Sequence, residues 1–329
     1  MKHDFKIRLF MGKGGVGKTT IASAYALKNA SENKKTLIVS LDPAHNLGDV
    51  LGVELGDKPT KITRNLVAIE VNYDKMVEKH LKTLTEKIKD IYGYLRIFNL
   101  EKYIDVLSHS PGIEEQAALE KIIEIIKEYG MEKKFDVIVF DTPPTGLTLR
   151  IMALPTISII WIDKLIELRL AILEKRKIIA KTIGEQQEIT IAGKKMKIPV
   201  EVSEDPIYQE LVGLKKEYEF INNILTDPST TNIVMIVNPE TLTILEAKRA
   251  YDFLKRIKIN TKYIAINKVL AIKELPDELK PRLEQEEKAI KEAEKIFKDT
   301  TIVKIPYQPK EPRGLKDLEK LLIYIKNID

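Results

Sequence analysis

The sequence predicts an α/β fold built on a doubly wound, mainly parallel sheet, with an inserted α-helical subdomain. Its 329 residues suffice for one large α/β domain that carries an insertion, or for two small domains. Six stretches of strand length are rich in β-branched residues and apolar on both faces, as strands covered by helices on both sides should be. Amphipathic helical stretches lie between most of them, which favours right-handed crossovers and parallel pairing.

The elements follow a regular order from the start of the chain. A first strand over residues 7–11 leads through a glycine-rich turn into a helix over residues 21–30. Because ligands bind at the carboxyl ends of the strands in such sheets, the site is expected among the loops that follow them. The six further strands are predicted over residues 36–41, 67–71, 137–140, 232–237, 262–266 and 301–305.

The turn after the first strand has the pattern GxxxxGKT of a phosphate-binding P-loop. Its glycines allow a tight turn whose N–H groups can point at phosphate oxygens, at the positive end of the following helix. Lys18 is expected to pair with the β- and γ-phosphates, and the Thr19 hydroxyl to bind Mg²⁺. The alternative is a turn that binds nothing, but the strand, glycines, Lys-Thr pair and helix all stand in order. The predicted nucleotide-binding residues are Gly12, Lys13, Gly14, Gly15, Val16, Gly17, Lys18, Thr19 and Thr20.

Composition narrows the class of protein. Lys and Arg number 54 against 49 Asp and Glu, and a net charge of +5 gives no reason to expect nucleic acid as a partner. Residues 1–6 lead straight into the first strand, and the longest strongly hydrophobic uncharged stretch, 151–162, is shorter than the ~20 residues of a membrane span. A cytoplasmic protein is therefore expected. The chain has no cysteine, which excludes disulfides, thiolate zinc sites and iron–sulfur clusters.

Two polar segments follow predicted strands. Residues 42–49 read DPAHNLGD, and residues 141–150 read DTPPTGLTLR. An Asp that ends a buried strand near a P-loop is where Mg²⁺ is held, usually through water, so Asp42 and Asp141 are candidate metal residues. The prolines and glycine after Asp141 predict a loop that changes shape as a unit, as a γ-phosphate sensor must. A single turn of this kind after a strand most often only ends the strand. Two such turns beside a P-loop favour a role in the site.

Together these motifs resemble those of one ATPase family. The form GKGGVGKT, with the additional Lys13, is similar to the deviant Walker A motif of a superfamily of dimeric ATPases. Residues 42–49 and 141–150 look like switch I and switch II of the branch that holds arsenite-pump ATPases and the tail-anchored-protein targeting ATPases of the Get pathway. Residues 110–115 are similar to a further signature of that branch, and residues 306–314 to its loop over the nucleotide base. The matches run from residue 10 to residue 314 in the family's order.

The resemblance implies a homodimer that binds ATP with Mg²⁺ and hydrolyses the ATP. It implies that Lys13 reaches across the dimer to the partner's nucleotide, as an arginine finger would, and that Asp49 positions the attacking water. With Lys18, these are the candidate catalytic residues. The implied surroundings of Mg²⁺ are Thr19, Asp42 and Asp141.

The base end of the nucleotide is assigned in the same way. Asn267, at the end of a predicted strand, matches the family's adenine-reading Asn, and Pro306 and Gln308 belong to the implied base loop. Gly48 and Leu147 stand where Ser and His are commoner in eukaryotic members. Neither position is expected to carry the chemistry, so these departures are expected to change little.

Cysteine content separates the members of this branch. An arsenite pump of the well-studied kind holds As(III), a soft ion, with thiolates. Eukaryotic targeting factors hold a zinc with a Cys-x-x-Cys pair, whereas the corresponding stretch here, 269–284, has no such ligands. The resemblance is therefore nearest to an archaeal-type targeting ATPase, whose partners are tail-anchored transmembrane segments and a membrane receptor.

The alternatives are a partition or site-placement ATPase and an arsenite or metal-transport subunit. A membrane-inserting last helix would favour partition, but the helix predicted over 315–325 carries acidic residues and is expected to dock on the sheet.

The predicted insertion supplies a place for such a client. Residues 1–72, 108–150 and 227–329 are assigned to the ATPase domain, and 73–107 and 151–226 to an α-helical client-binding subdomain. The latter is expected to contain a helix running to residue 183, a hairpin with strands 189–191 and 196–198, and a helix with Asp205 as N-cap and Pro206 at its first position. Ordinary helix packing is the alternative for each apolar residue there. The candidate groove residues are Leu165, Ile166, Leu168, Leu170, Ile172, Leu173, Met152 and Met76.

Overall fold

The computed structural model describes residues 3–44, 46–91, 110–183, 188–191, 194–197, 199–270 and 280–329. The strands in these ranges are β1 (Lys6–Gly12), β2 (Thr36–Ser40), β3 (Thr60–Lys61), β4 (Leu66–Glu70), β5 (Val137–Asp141), β6 (Glu188–Ile191), β7 (Lys194–Lys197), β8 (Thr231–Val237), β9 (Thr261–Val269) and β10 (Thr301–Pro306). The α-helices are α1 (Lys18–Ser31), α2 (Leu47–Leu51), α3 (Tyr73–Ile91), α4 (Ile113–Ile125), α5 (Thr145–Ile183), α6 (Pro206–Thr226), α7 (Thr241–Arg256), α8 (Lys280–Ile296) and α9 (Gly314–Glu319).

An eight-stranded sheet has the order β10-β9-β8-β1-β5-β2-β4-β3. All neighbouring strands pair in parallel except β3, which runs antiparallel to β4 at the edge. Every residue of β2, β5 and β8 is buried, because helices cover both faces of the sheet. The predicted α/β class with a doubly wound, mainly parallel sheet is confirmed.

The chain divides into two compact units. The first comprises Met1–Met76, Ala118–Met152 and Ile224–Asp329, and it contains the eight-stranded sheet. The second comprises Val77–Ala117 and Ala153–Asn223. Residues 110–117 fall in this second unit, although the sequence analysis placed them in the ATPase domain. Within the second unit, Gln116 Nε2 donates a hydrogen bond to the Tyr218 hydroxyl at 2.5 Å.

The second unit is mainly helical and contains the predicted hairpin. β6 and β7 pair antiparallel, and Ile191 lies opposite Lys194, so the second strand begins two residues before residue 196. Asp205 caps α6 as predicted, because its Oδ1 accepts the Tyr208 N–H at 2.7 Å. The same carboxylate binds Arg169 of α5 through two parallel hydrogen bonds, which joins these two helices. The predicted helical pattern beyond residue 91, the turn at 192–193 and residue 198 lie outside the described residues.

Helix α5 begins earlier than the sequence indicated. Residues 145–150 were expected to be part of a loop, but they form the first turns of α5, directly after Pro143 and Pro144. The helix also continues through Pro155. By length and composition alone, α5 is long and apolar enough to cross a membrane over Thr145–Thr182. Of its most apolar 18 residues, 33% are buried, and core helices of soluble proteins can be as long and as apolar.

The C-terminal segment packs on the first unit. α9 ends at Glu319, earlier than expected, and it contacts α1 and α2. Its Leu318, together with Leu321 and Ile325 in the turns that follow, is fully or almost fully buried in the hydrophobic core. This segment therefore docks on the core as predicted, through helices that lie next to the sheet.

Candidate nucleotide site

The P-loop joins β1 to α1 and has the backbone of a phosphate-binding turn. Gly15 and Gly17 adopt left-handed conformations, with φ of 78° and 94°. Gly12 leaves no room for a side chain, because a Cβ there would lie 2.5 Å from the Ile236 carbonyl oxygen of β8. The glycines at 12, 15 and 17 are therefore each required by the local geometry.

A cleft of about 620 Å³ opens beside this loop at the carboxyl ends of the strands. It lies within the first unit and brings together most of the predicted nucleotide-binding residues. Those that line it are Gly14, Gly15, Gly17, Lys18, Thr19, Thr20, Asp42, Asp49, Asn267, Pro306 and Gln308. The remaining predicted residues, Gly12, Lys13, Val16 and Asp141, are placed next to it but outside its lining.

Lys18 and Asp42 form a buried ion pair at the base of the cleft. The Lys18 Nζ lies 3.1 Å from Asp42 Oδ2, and both side chains are nearly inaccessible. The other oxygen of Asp42 accepts the Ala44 N–H at 3.1 Å, which orients the turn after β2. The pairing of Lys18 with phosphates stays a prediction, and the structure places its ammonium group in the lining of the cleft.

Asp141, at the end of β5, is completely buried. Its Oδ2 accepts hydrogen bonds from the Thr19 hydroxyl at 2.7 Å and from the Ser40 hydroxyl at 3.2 Å. Burial is the main reason that its pKa rises to about 6, and the nearby Asp42 carboxylate adds to the rise. Lys18 and the two hydroxyl donors oppose it. Sequence reasoning missed Ser40, whose only signal is a hydroxyl at the end of an apolar strand.

The donors around Thr19 fit a magnesium ion. Asp141 Oδ1 is buried and has no hydrogen-bond partner within the described part of the chain, so one carboxylate oxygen remains available. Thr19, Asp141 and Asp42 offer only oxygen donors, which Mg²⁺ prefers. Among the described residues no group of three or more His, Cys, Asp or Glu could hold a metal by itself.

Asp49 lies in the first turn of the short helix α2 and lines the cleft. The preceding N–H groups of that turn are bound by Glu70, at the end of β4. Glu70 Oε1 accepts the N–H of Leu47 at 2.7 Å and that of Gly48 at 3.2 Å. Sequence reasoning missed Glu70, although it is a charged residue at the carboxyl end of a predicted strand. His45, in the same predicted motif, lies outside the described residues.

Position 48 has little room for a side chain. A Cβ at Gly48 would lie 2.8 Å from the Val53 carbonyl oxygen, closer than side-chain carbons approach backbone oxygens. The expectation that glycine in place of serine changes little in the chemistry stays a prediction. A serine at 48 would require the backbone near Val53 to move.

The opposite side of the P-loop is bound by β9. The Asn267 side-chain amide donates to the Val16 carbonyl oxygen at 2.7 Å, and Lys268 Nζ donates to the Gly15 carbonyl oxygen at 2.8 Å. Lys268 has a left-handed backbone with φ of 60° and also lines the cleft. The assignment of Asn267 to adenine stays a prediction, and the structure adds a contact with the P-loop that the sequence did not indicate.

The predicted base loop forms the far wall of the cleft. Residues 306–313, from the last residue of β10 onward, all line it. The loop is joined to β9 because the Tyr307 N–H donates to the Val269 carbonyl oxygen at 2.8 Å. Gln308 turns its side-chain amide back to the Pro306 carbonyl oxygen at 2.9 Å. Three prolines in this segment restrict its backbone, which favours a preformed wall.

Lys13 does not line the cleft of its own chain. Its Nζ lies 3.7 Å from Glu246 Oε1 of α7, and both side chains are largely exposed. Surface ion pairs of this kind contribute about 0–1 kcal/mol, so the contact does not fix the lysine in place. The two P-loop lysines thus differ in position: Lys18 lies in the cleft and Lys13 on the surface.

Comparison with known proteins agrees with this geometry. The sequence model of the anion-transporting ATPase family matches residues 5–326. "Putative arsenical pump-driving ATPase 2" of Aquifex aeolicus (strain VF5) is 31% identical over 321 residues, which cover 96% of this chain and 99% of that protein. "ATPase ASNA1 homolog 1" of Paramecium tetraurelia is 29% identical, over 94% of this chain and 88% of that protein. "ATPase get3" of Aspergillus terreus is 28% identical, over 94% and 87%.

The family match, the P-loop between β1 and α1 and the cleft beside it lead to the same result. The resemblance that the motifs indicated is confirmed across nearly the whole chain. The chain belongs to the anion-transporting ATPase family and is an ATP-hydrolysing enzyme.

Proposed function

We propose that this ATPase acts as a homodimer that uses ATP and Mg²⁺ to control the capture and delivery of tail-anchored membrane proteins. The observation that carries the proposal is an exposed apolar stripe along α5. Residues at helical spacing form one face of this helix and remain accessible to solvent. They are Ile157, Ile160, Trp161, Leu165, Leu168, Ile178 and Ile179.

The stripe has the length of a transmembrane segment. From Ile157 to Ile179 the helix rises about 33 Å at 1.5 Å per residue, close to the ~30 Å of a bilayer's hydrocarbon core. Soluble proteins rarely leave so long an apolar surface uncovered unless it binds something. Lys164 and Lys175 also project from this face, and their apolar stems can lie along a bound helix while the charged ends reach water.

Only part of the predicted groove set belongs to this stripe. Leu165 and Leu168 belong to it. Leu170 is exposed but is not one of its residues, and Ile166 and Ile172 are half-buried. Leu173, Met152 and Met76 are buried, so ordinary packing, the alternative considered for each residue, applies to these three. Trp161, with 66% of its surface exposed, is the strongest apolar group on the stripe and was not among the candidates.

The residues of the cleft support the proposed chemistry. Lys18 would pair with the β- and γ-phosphates, and Asp49 would orient the attacking water from the first turn of α2. Thr19, Asp42 and Asp141 would hold Mg²⁺, which neutralises charge that develops on the phosphates. In ATP hydrolysis an oxygen of water attacks the γ-phosphorus and an oxygen of the β-phosphate leaves. The protein must therefore position these groups and stabilise the charge that develops on them.

The position of Lys13 supports a dimer. A P-loop lysine outside the cleft of its own chain has two possible roles. It is an ordinary surface lysine, or it acts on a nucleotide that another chain holds. Gly12 and Gly14 stand on either side of it, so its neighbours in sequence offer no side chain for it to pack against. A lysine supplied by the second chain would stabilise transition-state charge, as an arginine finger does.

Cysteine content favours membrane-protein clients over a metalloid. Relatives of this chain carry names of both kinds, arsenical pump-driving ATPases and ASNA1 or get3 ATPases. As(III) is soft and is held best by thiolates, and this chain has no cysteine. The partition alternative loses its support because the last helix is packed on the core rather than free to enter a membrane.

The proposal is tested by following the fluorescence of Trp161, the only tryptophan in the chain. A transmembrane peptide without tryptophan is titrated into the protein with a non-hydrolysable ATP analogue and Mg²⁺. Capture moves the indole from water into an apolar contact, so its emission shifts to shorter wavelength. Changing Leu165 and Leu168 to Asp should abolish that shift.

The matched control places the same change elsewhere on the surface. Leu242 and Ile323 are 75% and 66% exposed in the first unit, so Leu242→Asp with Ile323→Asp removes comparable apolar surface away from α5. The control protein should capture the peptide as the wild type does. Equal capture by all three proteins would contradict the stripe as the client site.

A further inference from the structure

The helix that carries Asp49 is not capped by its own residues. In most helices the side chain before the first turn accepts one of the free N–H groups. Among the described residues, Asn46 at that position makes no such hydrogen bond. The carboxylate of Glu70 accepts the first two N–H groups instead, those of Leu47 and Gly48.

Glu70 is held firmly where it does this. It is the last residue of β4 and lies opposite Ser40 of the neighbouring β2. Its own N–H donates to the Gly56 carbonyl oxygen at 3.0 Å. The sheet therefore fixes the Glu70 backbone, and its carboxylate sets the position of the first turn of α2.

The same turn has no free space on its other side. The Gly48 carbonyl oxygen accepts the N–H groups of Gly52 and Val53 at 2.8 and 3.1 Å. A Cβ at Gly48 would lie 2.8 Å from the Val53 carbonyl oxygen and 3.5 Å from Glu70 Oε2. The turn is thus confined between Glu70 and residue 53, and Asp49 follows directly after Gly48.

We infer that Glu70 is a positioning residue for ATP hydrolysis, which acts by fixing the direction of the Asp49 carboxylate. The inference rests on the proposed role of Asp49. Hydrogen bonds from N–H groups to a carboxylate at a helix N-terminus are charge-assisted, so they hold the turn more firmly than a neutral cap does. Without them two N–H groups lose their acceptor and the turn can rotate. A displacement of about 1 Å in a catalytic group can lower a rate by about 10²-fold.

The effect should appear in turnover and not in binding. The Glu70 carboxylate bonds to the start of α2, whereas the buried ion pair at the base of the cleft joins Lys18 to Asp42. The affinity for an ATP analogue should therefore stay within about 3-fold of the wild type. Glu70→Met keeps the volume and removes the acceptors, and kcat should fall by about 10-fold or more. Glu70→Gln keeps an oxygen that can accept both N–H groups, and kcat should be largely restored.

Two further variants separate this effect from a general loss of structure. Asp57 lies near the same edge of the sheet, and its carboxylate accepts the Asn72 N–H at 2.6 Å rather than an N–H of α2. Asp57→Ala therefore removes a comparable carboxylate hydrogen bond and should leave kcat unchanged. If Glu70→Met does not fold, Glu70→Asp replaces it in the test. This variant keeps the charge, but its side chain is too short to reach the N–H groups of α2, so kcat should fall as in Glu70→Met.

A double-mutant cycle with Asp49→Asn decides between the outcomes. If Glu70 acts through Asp49, Glu70→Met should slow the wild type but have almost no effect in the Asp49→Asn background. If the fold-losses in kcat of the two single variants multiply in the double variant, the role of Glu70 is overturned but the role of Asp49 is not. Equal kcat values for Glu70→Met and Glu70→Gln would have the same meaning. Full turnover by Asp49→Asn itself would overturn the role of Asp49, and the inference with it.

Discussion

Gly17 is the P-loop residue for which the structure predicts the clearest effect of a single methyl group. Its φ of 94° lies in the left-handed region, which strains residues that carry a Cβ. A Cβ at this position would also lie 2.5 Å from the Asn267 side-chain nitrogen. Gly17→Ala therefore strains the backbone and displaces Asn267, which loses its 2.7 Å hydrogen bond to the Val16 carbonyl oxygen.

The two contributions can be estimated separately. A left-handed conformation costs a residue with a Cβ about 1–2 kcal/mol. Loss of the Asn267 hydrogen bond adds about 1 kcal/mol. The sum of about 2–3 kcal/mol should lower the melting temperature of the first unit by about 4–12 °C, at about 2–4 °C per kcal/mol for a domain of this size.

Two other glycines allow each contribution to be measured. Gly15 has φ of 78°, but no described atom lies within 4 Å of the position that an alanine methyl group would take there, so Gly15→Ala should show the strain alone. Gly56 has neither a positive φ nor a described neighbour within 4 Å, and Gly56→Ala should change stability by no more than about 0.5 kcal/mol. The three melting temperatures are measured by scanning calorimetry without nucleotide. A separate scan with an ATP analogue identifies the transition of the first unit, because bound ligand raises its melting temperature.

The order of the three variants carries the test. Gly17→Ala should melt lowest, Gly15→Ala next, and Gly56→Ala close to the wild type. Equal melting temperatures for the alanines at 15 and 17 would show that the contact with Asn267 contributes nothing to stability. A Gly17→Ala protein as stable as the wild type would refute the described conformation of the P-loop.

Further predictions concern the charged residues of the cleft. Asp49→Asn should leave ATP binding intact and slow hydrolysis by about 10²-fold or more, because the water is no longer positioned; undiminished turnover would assign that role elsewhere. Lys13→Ala should weaken both hydrolysis and the nucleotide-bound dimer. Mixing it with Lys18→Ala chains should restore part of the activity, since a mixed dimer holds one intact site, and no recovery would count against action across the dimer. Lys268→Met should weaken binding of an ATP analogue by about 3- to 10-fold in a titration, because it loses its hydrogen bond to the P-loop. Lys262→Met, on the same strand but outside the cleft lining, is its control and should bind as the wild type does.

The strands were predictable because burial on both faces leaves a strong pattern in the sequence. Runs such as residues 232–237 are apolar throughout most of their length and contain β-branched residues, so they read as strands of a covered sheet. β3 was missed, since a pair of residues, Thr60 and Lys61, at an edge carries no periodic signal. The order of strands in the sheet was likewise beyond a single sequence, because it depends on long-range packing.

The start of α5 shows where a local rule gave the wrong result. Pro143, Pro144 and Gly146 are typical of loops, so residues 141–150 were predicted as one. Prolines are also compatible with the start of a helix, where their missing N–H has no intrahelical partner to lose. The Thr148 hydroxyl donates to the Pro143 carbonyl oxygen at 2.7 Å and so stabilises this start.

The site was predictable where its residues are adjacent in sequence. The P-loop is one continuous motif, and Asp42 and Asp141 each lie at the end of a strand, so all three were found. Ser40, Glu70 and Lys268 were not found, because their contacts are made between strands and loops far apart in the chain. Each is a polar residue close to the carboxyl end of a strand, which is the signal that a more complete reading would have used.

The proposed coupling between nucleotide and client is tested most directly by measuring it from both sides. The peptide's dissociation constant is measured by Trp161 fluorescence with and without the ATP analogue, and the analogue's is measured with and without the peptide. For each ligand, the dissociation constant without the other ligand is divided by the constant with it. Because linkage is reciprocal, these two ratios must be equal, and coupling requires both to exceed one. We predict that ATP analogue and peptide each tighten the binding of the other by the same factor, about 5-fold or more. Ratios of one, with the peptide bound equally well in all states, would contradict control of capture by ATP.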